Sequence, residues 1–134
     1  MAESPVVGVL LPGTSFGLPS LHFAPAREMV ERGMAIALAT DFNPGSSPSE
    51  SMPMMISIAT SHMGLSPAEA IAAATYNAAF AICREAEVGS LEPGKRADFL
   101  VLDCEDYREI PYRFGTNPVT RVFMQGNEWI DSTK

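Results

Sequence analysis

Two short apolar runs, Val6–Leu11 and Ala35–Ala39, limit what this chain can fold into more than any other feature. Neither alternates polar with apolar residues, so each reads as a strand covered on both faces, as the strands of parallel sheets are. Between them the residues predict a long loop over Thr14–Ala24, then a helix that starts at Pro25, runs to about Arg32 and is closed by Gly33. Met29 and Val30 fall on its apolar side. Strand, helix, strand in this order is a βαβ unit with a right-handed crossover. Two parallel strands alone would leave edges unpaired and faces bare. The expectation is therefore one end of a larger parallel sheet or barrel, carried by a chain that is a fragment.

The second run ends in Thr40-Asp41-Phe42-Asn43-Pro44-Gly45-Ser46. In α/β folds chemistry sits in the loops at the carboxyl ends of strands, which makes Asp41 a candidate catalytic or metal-binding carboxylate. Read on these residues alone, Asp41 is equally a cap or an Asx-turn former. Asn43–Ser46 fits a type II turn with Pro44 and Gly45 at its centre, which would present backbone N–H groups.

Ser51–Met63 carries Met52, Met55, Ile56, Ala59 and Met63 at helical spacing, and Gly64 ends it. Pro53 is tolerable only in the first turn, which sets the start near Ser51. Ser66-Pro67-Ala68-Glu69 is a capping box, and the helix behind it is expected to bury Ile71, Thr75, Ala78 or Ala79, and Ile82. Beyond Gly89 the character changes. Glu92–Lys95 reads as a type II turn, and Asp98–Asp103 and Val119–Met124 read as strands. Gln125–Glu128 would turn the latter into a hairpin with Trp129-Ile130. The organisation is an α/β region over 1–88 and a β-rich tail over 89–134.

A net charge of −7, with nine scattered basic residues, argues against nucleic acid and anionic membranes as partners. Met1–Pro5 has no basic signal-peptide region and Val6–Leu11 is too short to span a bilayer. Cys83 and Cys104 lack metal or redox spacing and read as reduced, buried thiols of a cytoplasmic protein. His22 reads as a surface residue with substrate contact as the alternative, and His62 as a partner of a helix C-terminus. The methionines at 52, 54, 55 and 63 read as core, and Arg113 and Arg121 as surface.

Two sets of motifs add a resemblance. Ala73-Ala74-Thr75-Tyr76-Asn77-Ala78-Ala79, followed by Gly89-Ser90-Leu91-Glu92-Pro93-Gly94-Lys95-Arg96-Ala97-Asp98, resembles the closing signature of the metal-dependent amidohydrolases, as does Val122-Phe123-Met124-Gln125-Gly126. Leu11–Ser15, Ala37–Pro48 and Tyr112–Pro118 resemble, within that superfamily, the imidazolonepropionase family. The resemblance runs from Val6 to about Ile130.

It implies that the two parallel strands are the seventh and eighth of a (β/α)8 TIM-like barrel and that the tail belongs to a small β-sandwich. It implies hydrolysis of 4-imidazolone-5-propanoate to N-formimino-glutamate, in histidine degradation, by a metal-dependent enzyme using iron or zinc. Asp41 then matches the aspartate that binds metal and shuttles a proton from the attacking water to the departing ring nitrogen. Asn43 and Gly45 match contacts to the glutamate-like portion of the substrate or product, and Ser46 a hydroxyl near the imidazolone. The family's other ligands have no counterpart here, since only His22 and His62 are present and neither matches. The chain alone is thus expected to bind no catalytic metal and to be inactive. Other readings are a fragment of a cytosine deaminase-like or dihydroorotase-like enzyme, or a non-catalytic module. Bare edges and faces imply association with the missing barrel portion or homo-oligomerisation.

Overall fold

The computed structural model describes residues 6–19 and 22–129. The first apolar run gives β1 (Gly8–Leu10), and the chain then turns at once into a short helix, α1 (Pro12–Gly17). The start of the expected Thr14–Ala24 loop is thus helical, because Pro12 supplies a favourable first helical position. Ser20 and Leu21, in the rest of that loop, lie outside the described residues. Helix α2 (Ala26–Glu31) follows with Pro25 as its cap, and Gly33 takes φ +74° just beyond it. Strand β2 (Ile36–Leu38) returns parallel to β1, with Gly8 opposite Ile36 and Leu10 opposite Leu38.

The two strands differ in cover. All of β2 is buried, as its composition predicts. β1 is not, since Val9 is 51 % exposed. The expectation of a second buried strand fails here because no described element packs against that outward side chain.

Helix α3 (Met52–His62) begins where Pro53 requires, and the Ser51 hydroxyl accepts the Met54 N–H at 3.3 Å. Met55 and Met63 are buried and Met52 packs against the core, as expected, whereas Met54 is only half-buried and lies outside that cluster. Helix α4 (Pro67–Ala74) carries the full capping box: the Ser66 hydroxyl accepts the Glu69 N–H, and the Glu69 carboxylate accepts the Ser66 N–H at 2.8 Å. The same carboxylate takes a two-pronged bond from Arg27, at 2.9 and 3.0 Å, which ties α2 to α4. Arg27 and then the Ser66 N–H hold the Glu69 carboxyl down to about 2.

The predicted continuous helix behind the capping box is instead two. It breaks at Thr75 (φ −126°, ψ −88°) and resumes as α5 (Tyr76–Ala81). The break redirects the second half, so Thr75 and Ile82 are exposed while Ala79 and not Ile82 is the buried contact. It also lets the Asn77 amide donate to the Ile36 carbonyl at 2.9 Å. Cys83 is exposed and left-handed (φ +57°) just after α5, which corrects its reading as a buried thiol; both cysteines are free.

The tail begins with the expected Pro93-Gly94 turn, where Gly94 has φ +93° and the Lys95 N–H returns to the Glu92 carbonyl at 3.1 Å. Strand β3 (Phe99–Leu102) pairs antiparallel with β4 (Val119–Met124), which pairs with β5 (Asn127–Trp129). An unpredicted short helix, α6 (Glu109–Tyr112), sits between β3 and β4. The β4–β5 connection is shorter than expected. Gln125 and Gly126, at φ +54° and +78°, form it alone, so Asn127 and Glu128 belong to the strand. Ile130 lies outside the described residues. No helix among the described residues is long and apolar enough to cross a membrane.

Candidate active site

A parallel pair places the segments that follow β1 and β2 at the same end of the sheet. Here those segments are α1 and the loop Thr40–Ser47, and they are packed face to face. A Cβ at Gly13 would stand 2.5 Å from the Ser47 hydroxyl and 2.9 Å from Met55. One at Gly17 would overlap the Ser46 carbonyl oxygen. Only glycines admit this approach, so α1 lies directly on the loop backbone.

The loop is held by Asn43. Its side-chain oxygen accepts the N–H groups of Gly45 and Ser46, each at 2.9 Å. Its side-chain nitrogen donates to the Asp41 carbonyl at 2.6 Å and to the Ser46 hydroxyl at 3.2 Å. Its backbone N–H meets the Ser47 carbonyl at 3.0 Å, and the buried Ser47 hydroxyl donates to the Thr40 carbonyl at 2.7 Å. The expected type II turn is therefore absent. Gly45 is not left-handed, because an Asx turn from Asn43 organises the segment instead.

Asp41 itself sits in the left-handed region at φ +48°, a sparsely populated conformation for a non-glycine residue. The Asn43 amide on its carbonyl helps to hold it there. Its side chain caps no helix among the described residues. One carboxylate oxygen, Oδ2, accepts the Thr14 hydroxyl of α1 at 2.8 Å. Asp41 and Phe42 are exposed, the latter by 61 %, so this end of the sheet is open.

The sequence-predicted residues Asp41, Asn43, Gly45 and Ser46 thus come together in one hydrogen-bonded loop. His22 is exposed. His62 closes α3, as a dipole partner should, with its ring against Phe23 at 5.1 Å and its Nδ1 beside the Ser61 hydroxyl. Among the described residues no group of three or more His, Cys, Asp or Glu side chains converges on one point. A transition metal with catalytic duty takes three or four protein ligands, so Asp41 and its neighbours do not by themselves fit one. Thr14 is the site residue that reading the sequence missed. It lies in a segment expected to be loop, and its partner is remote in the chain.

The architecture is an α/β fragment of the kind found in amidohydrolase-fold proteins. An adenosine deaminase from Xanthomonas campestris, solved with bound zinc, superposes on 92 % of the chain with a TM-score of 0.79 and 24 % identity, over 31 % of its own length. E. coli guanine deaminase covers 98 % with a TM-score of 0.77 at 18 % identity, over 35 % of its length. Likeness at such identities establishes the fold alone. The sequence pattern of the Amidohydrolase family matches residues 14–129, and the chain belongs to that family. An imidazolonepropionase from Solibacter usitatus is 51 % identical over 92 % of the chain, and one from Herpetosiphon aurantiacus 54 % identical over 94 %. One from Geobacillus kaustophilus is 49 % identical over the whole chain. The chain spans only about 30 % of the length of these relatives.

Proposed function

We propose that this chain is the C-terminal portion of a metal-dependent hydrolase that opens the ring of 4-imidazolone-5-propanoate to N-formimino-glutamate. The observation that carries this reading is identity of about half to imidazolonepropionases over nearly the whole chain. In this reading β1 and β2 are the last two strands of a (β/α)8 barrel, and residues 89–134 contribute to a small β-sandwich beyond a boundary at 88. The bare flank of β1, where Val9 is half-exposed, supports a face meant to be covered. The cover proposed is the rest of the barrel.

Asp41 carries the proton work. Water adds to the ring carbonyl, the C–N bond breaks, and the Asp41 carboxylate passes the water's proton to the leaving ring nitrogen. Asn43 and Gly45 flank the glutamate-like arm of the substrate and Ser46 the imidazolone. Their mutual hydrogen bonds give the loop its shape before substrate arrives, which lowers the ordering cost on binding. Iron or zinc would require ligands beyond this chain, with Asp41 as one of the set. The pure chain with added metal is therefore expected to show no turnover.

The test is a chimera in which residues 6–129 replace the matching segment of the Herpetosiphon enzyme. It should hydrolyse 4-imidazolone-5-propanoate and leave adenosine and guanine untouched, and Asp41→Asn should abolish turnover. A folded, metal-loaded chimera that ignores the imidazolone, or that deaminates a purine, would overturn the reading.

A further inference from the structure

We infer that Thr14 is a positioning residue that fixes which oxygen of Asp41 faces the reacting atoms; the inference rests on the hydrolase reading above. A helical threonine ordinarily turns its hydroxyl back onto its own helix. Thr60, in the second half of α3, does so, donating to the Ser57 carbonyl at 2.9 Å. Thr14 is the third residue of α1 and has no earlier turn of its own helix to bond to. Its hydroxyl crosses to another segment and donates to Asp41 Oδ2 at 2.8 Å.

Both ends of that bond are anchored. On one side α1 lies so close to the loop that a Cβ at Gly13 or Gly17 would clash with Ser47, Met55 or the Ser46 carbonyl. On the other side the Asp41 backbone is held at φ +48° with its carbonyl bonded to Asn43. The carboxylate is the remaining freedom, and Thr14 removes it. Oδ2 is occupied by the Thr14 hydroxyl, which leaves Oδ1 as the carboxylate oxygen without a hydrogen bond among the described residues and so fixes how the group presents itself. A group held this way starts each turnover already oriented, and misplacing such a group by about 1 Å can cost about a hundredfold in rate. Thr14 is not among the substrate contacts proposed above, so the effect of removing its hydroxyl belongs in kcat and not in KM.

The chimera described above tests this with Thr14→Val, which keeps the shape and deletes the hydroxyl, and Thr14→Ser, which keeps the hydroxyl. For Thr14→Val we expect kcat to fall about ten- to a hundredfold, with KM within about twofold, the metal content per chain unchanged and the melting temperature held. Thr14→Ser should restore kcat to within about threefold of the parent. Parental kcat in Thr14→Val would overturn the inference while leaving the hydrolase reading intact. Loss of melting temperature or of bound metal alongside kcat would also overturn it, by making Thr14 a structural or metal-retaining residue. Should the parent chimera be folded, loaded and inactive, both readings fall together. If the full exchange does not fold, a graft of residues 6–47 alone carries the same pair of variants.

Discussion

The loop after β2 and the antiparallel tail are built to opposite standards. Around the loop, buried Met55, Ser47 and Pro12 pack with no space between α1, the loop and α3. In the tail no residue of β3, β4 or β5 is fully buried, and Leu100 and Trp129 are 55 % and 64 % exposed. The tail holds together through backbone pairing, a stacked Phe99–Phe123 pair at 4.4 Å, and an Arg121–Glu128 ion pair across β4 and β5. Close packing fixes positions to fractions of an ångström, whereas a sheet face without cover fixes only pairing. The candidate site lies where positions are fixed.

Truncating the packed region should produce the largest effect. Met55→Ala removes a side chain that is 1 % exposed and is expected to cost about 2–5 kcal/mol in chemical denaturation. A cost under about 1 kcal/mol would mean that the two regions are equally loose. Gly17→Ala comes next, at about 1–3 kcal/mol, since its methyl meets a backbone carbonyl that cannot swing away. A neutral outcome there would separate α1 from the loop.

The Arg27–Glu69 staple gives a smaller effect with a definite pH signature. The folded carboxyl is held down to about 2 against an ordinary 4.5, so its stabilisation is present above pH 4.5. It is lost as pH falls from there through the folded value. The melting temperature should decline over that window, and Glu69→Gln should flatten the decline; unchanged acid sensitivity in the variant would remove the staple from the account. Both side chains are partly exposed, and salt should weaken the effect. Smallest of all, Trp129→Ala should lie within about 0.5 kcal/mol in this chain. A larger loss would show that the tail has cover of its own.

Much of this was legible from the residues. Pro25, Gly33, Ser51, Pro53 and the Ser66–Glu69 box set the helix limits because capping and proline geometry are local. The apolar run ending at Asp41 placed a carboxylate at a strand end for the same reason. The failures have separate causes. The break at Thr75 goes with a bond from Asn77 to a strand far along the chain, and the Asx turn displaces a type II turn through a rival local bond. Ile82, expected inside, is outside because the break turned its helix.

The sequence by itself thus determined the strands, the limits of α2 and α3, the start of α4, and the identity of Asp41, Asn43, Gly45 and Ser46 as a single candidate loop. Only the tertiary structure decided how that loop is held. It laid α1 on the loop through two glycines, set Asp41 at a left-handed φ, and brought the Thr14 hydroxyl to Oδ2. The physical reason is range. Propensity and capping act within a turn or two of chain, but orienting a carboxylate takes contacts between segments that meet only when the sheet forms.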